Sequence, residues 1–366
     1  MKTSSLIRHY IHILLLVSPA SIAEWYTHNF DVMGTRASIE LWSNSQAHAS
    51  QSFSAVELEM RRIESVMSSY QESSELSAIN RLSANQTLTL TPELYQLIQK
   101  SLYFSRISNG AFDITYASVG HLYNYRKGTQ PNDKKIQSAL TLVDWQNVTL
   151  NEKTKTISFA NNDMKINLGG IAKGYAVDRS IELLIERGVV SAIVSAGGDS
   201  RMIGDRGSID NSANDDVNDE AESESGADID TDTDTDTDTD TESENDQRIP
   251  WMVGIKHPRK SDDTALRLPL IDTAISTSGD YERYFLQGDK RVHHIINPKT
   301  GYSAAGVVSA SVVGPQSIHC DVLSTTLFVL GVDKGIALIN TLDAYDAVMI
   351  DVNGKVHFSS GLTPDA

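Results

Sequence analysis

Alternating and helically spaced apolar residues divide the chain into short predicted elements. Residues 29–42 alternate as in a β-strand, with a glycine near the start. Residues 50–70 have helical spacing. The apolar side of this first helix is predicted to contain Ala55, Leu58, Met60 and Ile63. A second helix is predicted over 91–108, where Thr91 is a capping residue and Pro92 takes the first helical position.

The rest of the pattern mixes helices and strands. A helix is predicted from Ile171 to Arg187, before the glycine at 188, and another from about Asp321 to Leu330. Strands are predicted at 140–145, 155–160, 164–168, 189–199 and 251–258, and near 268–276, 291–296 and 307–313. This mixture, with long stretches typical of antiparallel strands, predicts an α/β or α+β fold with a mixed sheet and packed helices.

The first 23 residues have the organisation of an export signal. Lys2 and Arg8 give a positive start, residues 10–17 are a short apolar run, and small residues lead to a cleavage site after Ala23. The run is too short for a confident membrane span, and no cysteine follows it that could carry a lipid. We therefore expect a periplasmic protein, with association with the inner membrane through an uncleaved anchor as the alternative.

One acidic segment accounts for the net charge of −17. Between Arg206 and Arg248 there are 17 acidic and no basic residues, and residues 228–246 are rich in Asp-Thr repeats. The rest of the chain has 31 acidic residues against 31 lysines and arginines, which argues against nucleic acid as a partner. Because the segment has few apolar residues to bury, residues 207–247 are predicted to be a disordered insertion. A weak calcium site is the alternative, although the glycine and final glutamate of an EF-hand loop are missing.

The remaining chain is long enough to fold around an ordinary hydrophobic core. Its single cysteine, Cys320, allows no internal disulfide and is expected to fill space in that core. The predicted folded domain comprises residues 24–206 and 248–366.

A double glycine at the start of a predicted helix suggests a phosphate-binding turn. The stretch NDMKINLGGIAKGYAVDRSIELLIERG (162–188) runs from a strand through Gly169 and Gly170 into a helix. With Gly174 these glycines do not make the G-x-G-x-x-G pattern, and Lys173 is not followed by the Ser or Thr of a P-loop. Spacing alone therefore does not identify the ligand.

Three oxygen-bearing side chains share one face of the predicted helix near the C-terminus. Asp321, Ser324 and Thr325 lie at positions i, i+3 and i+4. One carboxylate with hydroxyl groups, and no His or Cys ligand, suits a magnesium ion that keeps waters and is completed by substrate phosphates. The alternative is that Asp321 only caps the helix N-terminus.

Other short segments are ambiguous in isolation. Residues 108–115, 195–201 and 276–285 each place glycine shortly before a charged residue, which is also typical of plain turns. A lone histidine such as His294 is more often structural than catalytic.

In combination and in chain order, these segments resemble the FAD:protein FMN transferases, the ApbE-like flavin transferases. The resemblance covers nearly the whole chain after the predicted signal, apart from the acidic insertion. It rests on MGT (33–35), MSSYQESSELSAIN (67–80), GAFDIT (110–115), NLGGIAKGYAVD (167–178), AGGDSR (196–201), STSGDYERYF (276–285), HIINPKTG (294–301) and CDVLSTTLFVLG (320–331).

The resemblance implies an ApbE-type flavin transferase fold that binds FAD with Mg²⁺ at its pyrophosphate. It also implies transfer of FMN to a threonine or serine of an exported acceptor flavoprotein, such as a subunit of a membrane redox complex, with AMP leaving. The implied flavin and adenosine contacts are Met33, Tyr70, Ala111, Phe112 and Asp113. Asn167 and Lys173 match contacts of the family's glycine motif, which would face the pyrophosphate, and Ile295 matches a further wall of the site. The implied metal ligands are Asp321 and Thr325, with Ser324 nearby and the main-chain carbonyl of Gly170.

An acceptor hydroxyl is a weak nucleophile at neutral pH and needs a base close to it. We expect His294 to be that base, because the ordinary pKa of histidine suits neutral conditions, with Asp280 as the second candidate.

Two departures from the family pattern matter. The glycine motif of the family usually opens with Asp, where this chain has Asn167, so a hydrogen-bonding role survives and a charge role does not. Many relatives are lipoproteins, and this chain lacks the lipid-bearing cysteine.

Three alternatives stay open at this point: an FAD pyrophosphatase that releases FMN and AMP, a non-catalytic periplasmic flavin-binding protein, and a calcium-responsive surface protein built on the Asp-Thr repeat.

Overall fold

The computed structural model describes residues 23–207, 248–260 and 263–363. All but the last residue of the predicted signal peptide, and all but the first residue of the predicted insertion 207–247, lie outside the described residues. Export, the alternative of an anchor, and disorder of the insertion therefore stay predictions.

Helices and strands are mixed along the described chain. The strands are β1 (Glu24–Val32), β2 (Thr35–Ser43), β3 (Thr87–Thr89), β4 (Val148–Asn151), β5 (Thr156–Phe159), β6 (Ala192–Ala196), β7 (Asp199–Ile203), β8 (Trp251–Lys256), β9 (Thr264–Leu270), β10 (Ala274–Gly279), β11 (Tyr284–Gln287), β12 (Lys290–His293), β13 (Val307–Gly314), β14 (Asp346–Asp351) and β15 (Val356–Phe358). The helices are α1 (Gln46–Met67), α2 (Glu75–Ile79), α3 (Pro92–Ile107), α4 (Ala117–Gly120), α5 (Asp133–Leu140), α6 (Ala172–Glu186), α7 (Ser317–Leu330) and α8 (Val332–Ile339).

One large sheet organises the described residues. Its eight strands have the order β1-β2-β6-β7-β10-β13-β14-β15, and every neighbouring pair is antiparallel. Helices α1, α6 and α7 contact this sheet, and α6 contacts both of the other two. Burial of each large apolar side chain between these layers stabilises the fold by about 1.5–3 kcal/mol. The predicted fold class, a sheet with packed helices, is confirmed.

Of the four residues predicted on the apolar side of α1, two are buried, Ala55 is half-buried and Leu58 is exposed. Met60 and Ile63 are buried, and Val56 and Met67 continue the stripe at helical spacing. Leu58 is 68% exposed, so the prediction that it lies inside is wrong. Its position is two residues from both Val56 and Met60, which turns it away from the stripe.

The predicted strand 29–42 is a hairpin of β1 and β2. Met33 and Gly34 form its two-residue turn, with φ angles of 53° and 69°. Both angles are left-handed, which matches the twist of antiparallel strands and is uncommon for a residue other than glycine. The buried apolar positions change from Phe30 and Val32 before the turn to Ala37, Ile39 and Leu41 after it, a change of phase that the prediction of one continuous strand overlooked. Predicted strand 189–199 likewise contains all of β6 and the first residue of β7, and predicted strand 268–276 contains the end of β9 and the start of β10.

Two predicted strands are absent from the structure. Residues 140–145 instead contain the end of α5 and a turn, after which Asp144 caps a short 3-10 helix. Residues 164–168 are extended but pair with no strand. Their backbone bonds to other groups: Ile166 N donates to Asn80 Oδ1 at 2.8 Å, and the next residue, Asn167, donates from its N to Ile114 O at 2.9 Å.

The N-terminus of α7 is fixed by a residue of α6. Asp178 accepts hydrogen bonds from the backbone N–H groups of Ser317 and Ile318, both at 2.9 Å. A carboxylate there satisfies two free donors and favours the helix dipole. Helix α7 therefore begins one turn before the predicted start at Asp321. Asp321 lies in its second turn, so the alternative that it caps the helix is wrong.

Smaller units complete the described structure. The β11–β12 hairpin packs with α4 and α5 around a second buried cluster that includes Val119, Tyr123 and Ile136. The β8–β9 hairpin forms a third cluster through Trp251 and Ile255. Within the described residues, no helix combines the length and apolarity that crossing a bilayer requires.

Close contact between α6 and α7 depends on a glycine, which gives a test of this packing. A Cβ at Gly174 would lie 2.4 Å from the carbonyl oxygen of Ser317, so Gly174→Ala must push the two backbones apart. We expect the free energy of unfolding, measured by urea denaturation, to fall by about 1–3 kcal/mol or more. At Gly288, with φ of 59° and open space around it, alanine should cost only about 1 kcal/mol, for backbone strain. Equal losses for the two variants would contradict this account.

Candidate active site

The double-glycine turn is held by Asn167, the residue that opens it. Asn167 Oδ1 accepts a hydrogen bond from Gly169 N at 2.7 Å, and Asn167 Nδ2 donates to Ser69 Oγ at 2.8 Å. A Cβ at Gly169 would lie 2.8 Å from that same Oδ1, so the turn requires glycine. Asparagine can make both bonds because it carries one acceptor and one donor. The departure from Asp thus leaves the turn well supported.

The second glycine brings two sequence-predicted residues together. A Cβ at Gly170 would lie 3.2 Å from Phe112 Cε2 and 3.4 Å from Thr325 Oγ1. Gly170 therefore lets the turn approach both the aromatic ring and the hydroxyl of α7. Helix α6 begins two residues later, and the N-terminus of a helix favours an anionic group.

Lys173 bridges two buried carboxylates. Its Nζ donates to Asp199 Oδ2 at 2.6 Å and to both carboxylate oxygens of Asp321 at 3.2 Å. Gly174 N also donates to Asp321 Oδ2, at 3.1 Å. Asp199 and Asp321 are only 2% and 3% exposed. Burial lowers the pKa of Lys173, but attraction to the two carboxylates outweighs this and raises it above its usual value.

The carboxylates outnumber the ammonium group that neutralises them. Burial first, and then the negative charge of Asp199, raise the pKa of Asp321 to about 7, while Lys173 acts in the opposite direction. With both carboxylates ionised, the cluster carries one net negative charge in a buried place. An added cation would remove that excess, which makes this cluster a fitting place for a metal ion.

Hydroxyl groups surround the same end of α7. Ser278 Oγ lies 2.9 Å from Ser324 Oγ and 3.1 Å from Thr325 Oγ1. Ser324 Oγ also donates to the carbonyl oxygen of Asp321 at 3.0 Å. Carboxylate, hydroxyl and carbonyl oxygens are the donors that Mg²⁺ accepts. No group of three or more His, Cys, Asp or Glu residues gathers within the described ranges, so waters and substrate oxygens would have to complete the shell.

His294 lies beside this cluster and is held neutral. Burial first, and then the charges of Arg283 and other neighbours including Lys173, lower the pKa of His294 to about 3. Its backbone N donates to Arg283 O at 3.0 Å. Its Nδ1 is buried and has no hydrogen-bond partner in the described structure, which is unusual for a buried polar atom. The neighbouring His293 likewise has a buried Nδ1 without a partner in the described structure, but its Nε2 is within 3.0 Å of Ala304 O.

Two aromatic residues and the β1–β2 turn lie around this cluster. Tyr70 is 84% exposed and directly follows Ser69, whose Oγ accepts from Asn167 Nδ2. Tyr116 reaches the same asparagine, because its hydroxyl donates to Asn167 Oδ1 at 3.3 Å. At Gly34, next to Met33, a Cβ would lie 3.7 Å from Arg283 Nη2. An exposed ring next to a polar cluster is suited to stacking on a planar ligand.

Other predicted site residues have structural surroundings. Asp280 accepts from Arg259 Nη1 and Nη2, both at 2.8 Å, and from Arg291 Nη1 at 3.0 Å. Asp113 Oδ1 accepts from Thr115 N at 2.8 Å as the cap of a 3-10 helix. These contacts occupy the carboxylates, and they favour supporting roles for both residues. Ala111 and Ile295 are buried.

Three residues that sequence reasoning did not select belong to the site. Asp199 shares Lys173 with Asp321, Ser278 links the hydroxyls of α7, and Arg283 places a guanidinium near His294. All three occur in the glycine-acid segments 195–201 and 276–285, which in isolation were indistinguishable from turns.

Comparison with known proteins identifies the family. The sequence model of the ApbE family matches residues 33–217 and 233–349. The chain belongs to the ApbE family. A curated relative, the FAD:protein FMN transferase of Treponema pallidum (strain Nichols), is 29% identical over 343 residues, which cover 90% of this chain and 86% of the relative. The FAD:protein FMN transferase of Klebsiella pneumoniae (strain 342) is 27% identical over 340 residues, or 92% of each chain.

Solved structures agree with the family assignment. The ApbE protein of Thermotoga maritima MSB8 superimposes with a TM-score of 0.75 and 29% identity, over 92% of this chain and 98% of that one. The flavin transferase ApbE of Vibrio cholerae has a TM-score of 0.74 and 22% identity, over 94% and 100%, and shares the fold. The protein is thus a member of an enzyme family, and its ApbE-type fold is confirmed.

The buried Lys173 bridge can be tested by removing its cation. In Lys173→Gln, two buried carboxylates lose their ammonium partner, and we expect the free energy of unfolding to fall by about 3–5 kcal/mol. Adding Asp199→Asn removes one of the two charges and should restore much of that stability. The measurement is urea denaturation of the single and double variants in EDTA. Losses that simply add in the double variant would contradict the proposed coupling.

Proposed function

We propose that the protein transfers the FMN half of FAD to a threonine or serine hydroxyl of an acceptor flavoprotein, with Mg²⁺ bound and AMP as the leaving group. One observation carries this proposal. The double-glycine turn, the Lys173 bridge and the oxygen donors of α7 meet beside a neutral histidine with a free ring nitrogen. The curated relatives carry the name FAD:protein FMN transferase.

The glycine turn and the start of α6 would bind the diphosphate of FAD. Gly169 and Gly170 allow the backbone to approach, and the N-terminus of α6 favours negative charge. Lys173 is neutralised by two carboxylates, so it contributes mainly by fixing Asp321. Arg283 is exposed and has no ion pair within the described residues, so it is the guanidinium best placed to bind a phosphate oxygen.

Mg²⁺ would be held by Asp321, Thr325 and the carbonyl of Gly170, with Ser324 nearby. When bound, it would supply Lewis-acid charge for the diphosphate. Asp321 must be ionised to serve as a ligand, and its pKa of about 7 places ionisation near neutral pH before any cation binds.

The chemical step is a displacement at phosphorus. The acceptor hydroxyl oxygen attacks the phosphorus of the FMN half and forms a phosphoester bond. The bond from that phosphorus to the oxygen of the AMP phosphate breaks, and the electron pair leaves with AMP. The hydroxyl proton passes to a ring nitrogen of His294. The imidazole is neutral and can accept it, and the negative diphosphate would raise its pKa from about 3 by offsetting Arg283.

The location and partners of the protein belong to the same proposal. The predicted signal favours export to the periplasm, where acceptor subunits of membrane redox complexes would be exposed. Attack by water at the same phosphorus would give an FAD pyrophosphatase instead, and a protein without chemistry would only bind flavin. Transfer of a fluorescent flavin to a second protein distinguishes the proposed activity from both.

Removal of the metal tests the proposed function directly. The protein, FAD and Mg²⁺ are mixed with a purified, flavin-free exported flavoprotein subunit whose acceptor is a threonine. We expect in-gel flavin fluorescence on that subunit, which EDTA abolishes and Asp321→Asn lowers at least ~100-fold. Asp333→Asn, an exposed acidic position on α8, is the matched control and should match the wild type. Unchanged transfer by Asp321→Asn, or transfer in EDTA, would contradict the proposed metal site.

Removal of the imidazole tests the proposed base. We expect His294→Ala to lower the transfer rate at saturating FAD by about 10²–10⁴-fold, while FAD affinity, followed by flavin fluorescence, changes less than about two-fold. His121→Ala, an exposed histidine next to α4, is the control. If His294→Ala kept the full rate with FAD bound, the base would have to be another group.

A further inference from the structure

The hairpin of β11 and β12 carries two exposed apolar side chains on one face. Tyr284 and Leu286 are two residues apart on β11, so they lie on the same side of the strand, and they are 40% and 64% exposed. Phe285, between them, lies on the other side and packs near Gly128 and the buried cluster around Tyr123. We call the side that carries Tyr284 and Leu286 the outer face of the hairpin.

This outer face is rigid. The Arg291 guanidinium carbon lies 4.1 Å from the centre of the Tyr284 ring, and Arg291 is itself bound to Asp280. Asp280 also binds Arg259 through two hydrogen bonds. Asp280, the second candidate base, therefore holds Arg291 against the ring of Tyr284 on the outer face. A side chain held in this way loses little entropy when a partner covers it.

The hairpin is also open to pairing with another chain. Among the described residues, β11 and β12 pair only with each other. The backbone of β12 at His293 is occupied by the Ser303 hydroxyl, which accepts from His293 N and donates to His293 O, so the edge open to pairing is that of β11. A free edge offers unpaired N–H and C=O groups to an added strand. A single exposed apolar residue is common on protein surfaces. Tyr284 and Leu286, in contrast, are a pair beside an open strand edge.

The edge of β11 leads to the candidate active site. The hairpin register brings Tyr284 opposite His293, and the next pair along is Arg283 and His294, joined by the bond from His294 N to Arg283 O. Leu286 is three residues from Arg283, or about 10 Å along a strand. Because side chains alternate along a strand, Arg283 and His294 lie on the side opposite Tyr284 and Leu286. A segment paired with β11 would therefore direct alternate residues to the outer face and to His294.

The charges near the hairpin favour an acidic partner. Arg126, Lys127 and Lys290 are exposed and form no ion pair with any described residue. Arg283 at the base of the hairpin adds a fourth such cation. The exposed acidic residues on the hairpin itself are Glu282 and Asp289. The balance is positive, which attracts a segment of negative charge.

We infer that the outer face of the β11–β12 hairpin is the docking surface for the acceptor polypeptide. This inference rests on the proposed function. The occupant is an extended segment next to the modified threonine or serine. It has an apolar side chain against Tyr284 and Leu286, and a neighbouring acidic residue on the opposite side of the strand, where Lys290 lies because it pairs with Gln287. The segment extends the hairpin and brings the hydroxyl to His294, so the hairpin selects the acceptor and does not bind FAD.

The test compares two equally exposed leucines. Leu286→Asp places a charge on the outer face, while Leu58→Asp makes the same change on α1, where Leu58 is 68% exposed. The probe is the flavin-free flavoprotein subunit of the transfer assay. We expect Leu286→Asp to raise its KM at least ~10-fold, with FAD affinity changed less than about two-fold and Leu58→Asp indistinguishable from the wild type. Tyr284→Ser should act in the same direction and serves as a second, milder variant.

A direct binding measurement separates docking from chemistry. The affinity of the same subunit for the wild type and for each variant is measured by calorimetry in EDTA, where no transfer is expected. Docking is thus measured without the reaction, and a wild type that binds the subunit but does not modify it in Mg²⁺ would contradict only the proposed function. The docking inference is overturned if Leu286→Asp and Tyr284→Ser bind and modify the subunit like the wild type. It is also overturned if they lose FAD affinity to the same degree, or if they convert a dimer of the protein into monomers in sedimentation, which would assign the face to a second copy.

Discussion

The candidate site depends on one buried ionic contact, the Lys173 ammonium between the carboxylates of Asp199 and Asp321. These three residues come from α6, β7 and α7, so the contact joins two helices to the central sheet at one point. Burying charges is costly unless each is paired, and here one cation serves two anions. The remaining negative charge makes the site receptive to a further cation, and it connects the stability of the fold with the proposed binding of a metal and a diphosphate.

The contact forms because the neighbouring backbone permits it. Gly174 lets α6 approach the first turn of α7, and Asp178, one turn further along α6, caps that helix. Together Gly174 and Asp178 fix the position of α7 along its axis relative to α6, which places Asp321 beside Lys173. Arg201 of β7 completes the arrangement by binding Asp178 at 2.9 Å. Residues without any chemical role thus determine the distances on which the proposed chemistry depends.

Local signals in the sequence predicted much of the fold, and tertiary contacts decided the rest. Thr91 and Pro92 mark the start of α3, where the structure also begins it, because capping is a property of adjacent residues. The turn at Met33 was missed because its left-handed backbone belongs to the hairpin and not to the residue type. The family motifs located the glycine turn and Asp321, but the sharing of Lys173 with Asp199 is a contact across 26 residues that spacing cannot reveal. His294 was selected because the ordinary pKa of histidine suits neutral conditions, and that reason is wrong for this site, since burial and then Arg283 lower the pKa of His294 to about 3.

The most direct test of the central claim is a crystal structure of the protein with FAD and Mn²⁺, whose anomalous signal locates the cation in place of Mg²⁺. We predict a cation bonded to Asp321 and Thr325, with the FAD diphosphate between it and the turn at residues 167–173. A diphosphate bound away from that turn, or an anomalous peak that lies elsewhere, would contradict the account.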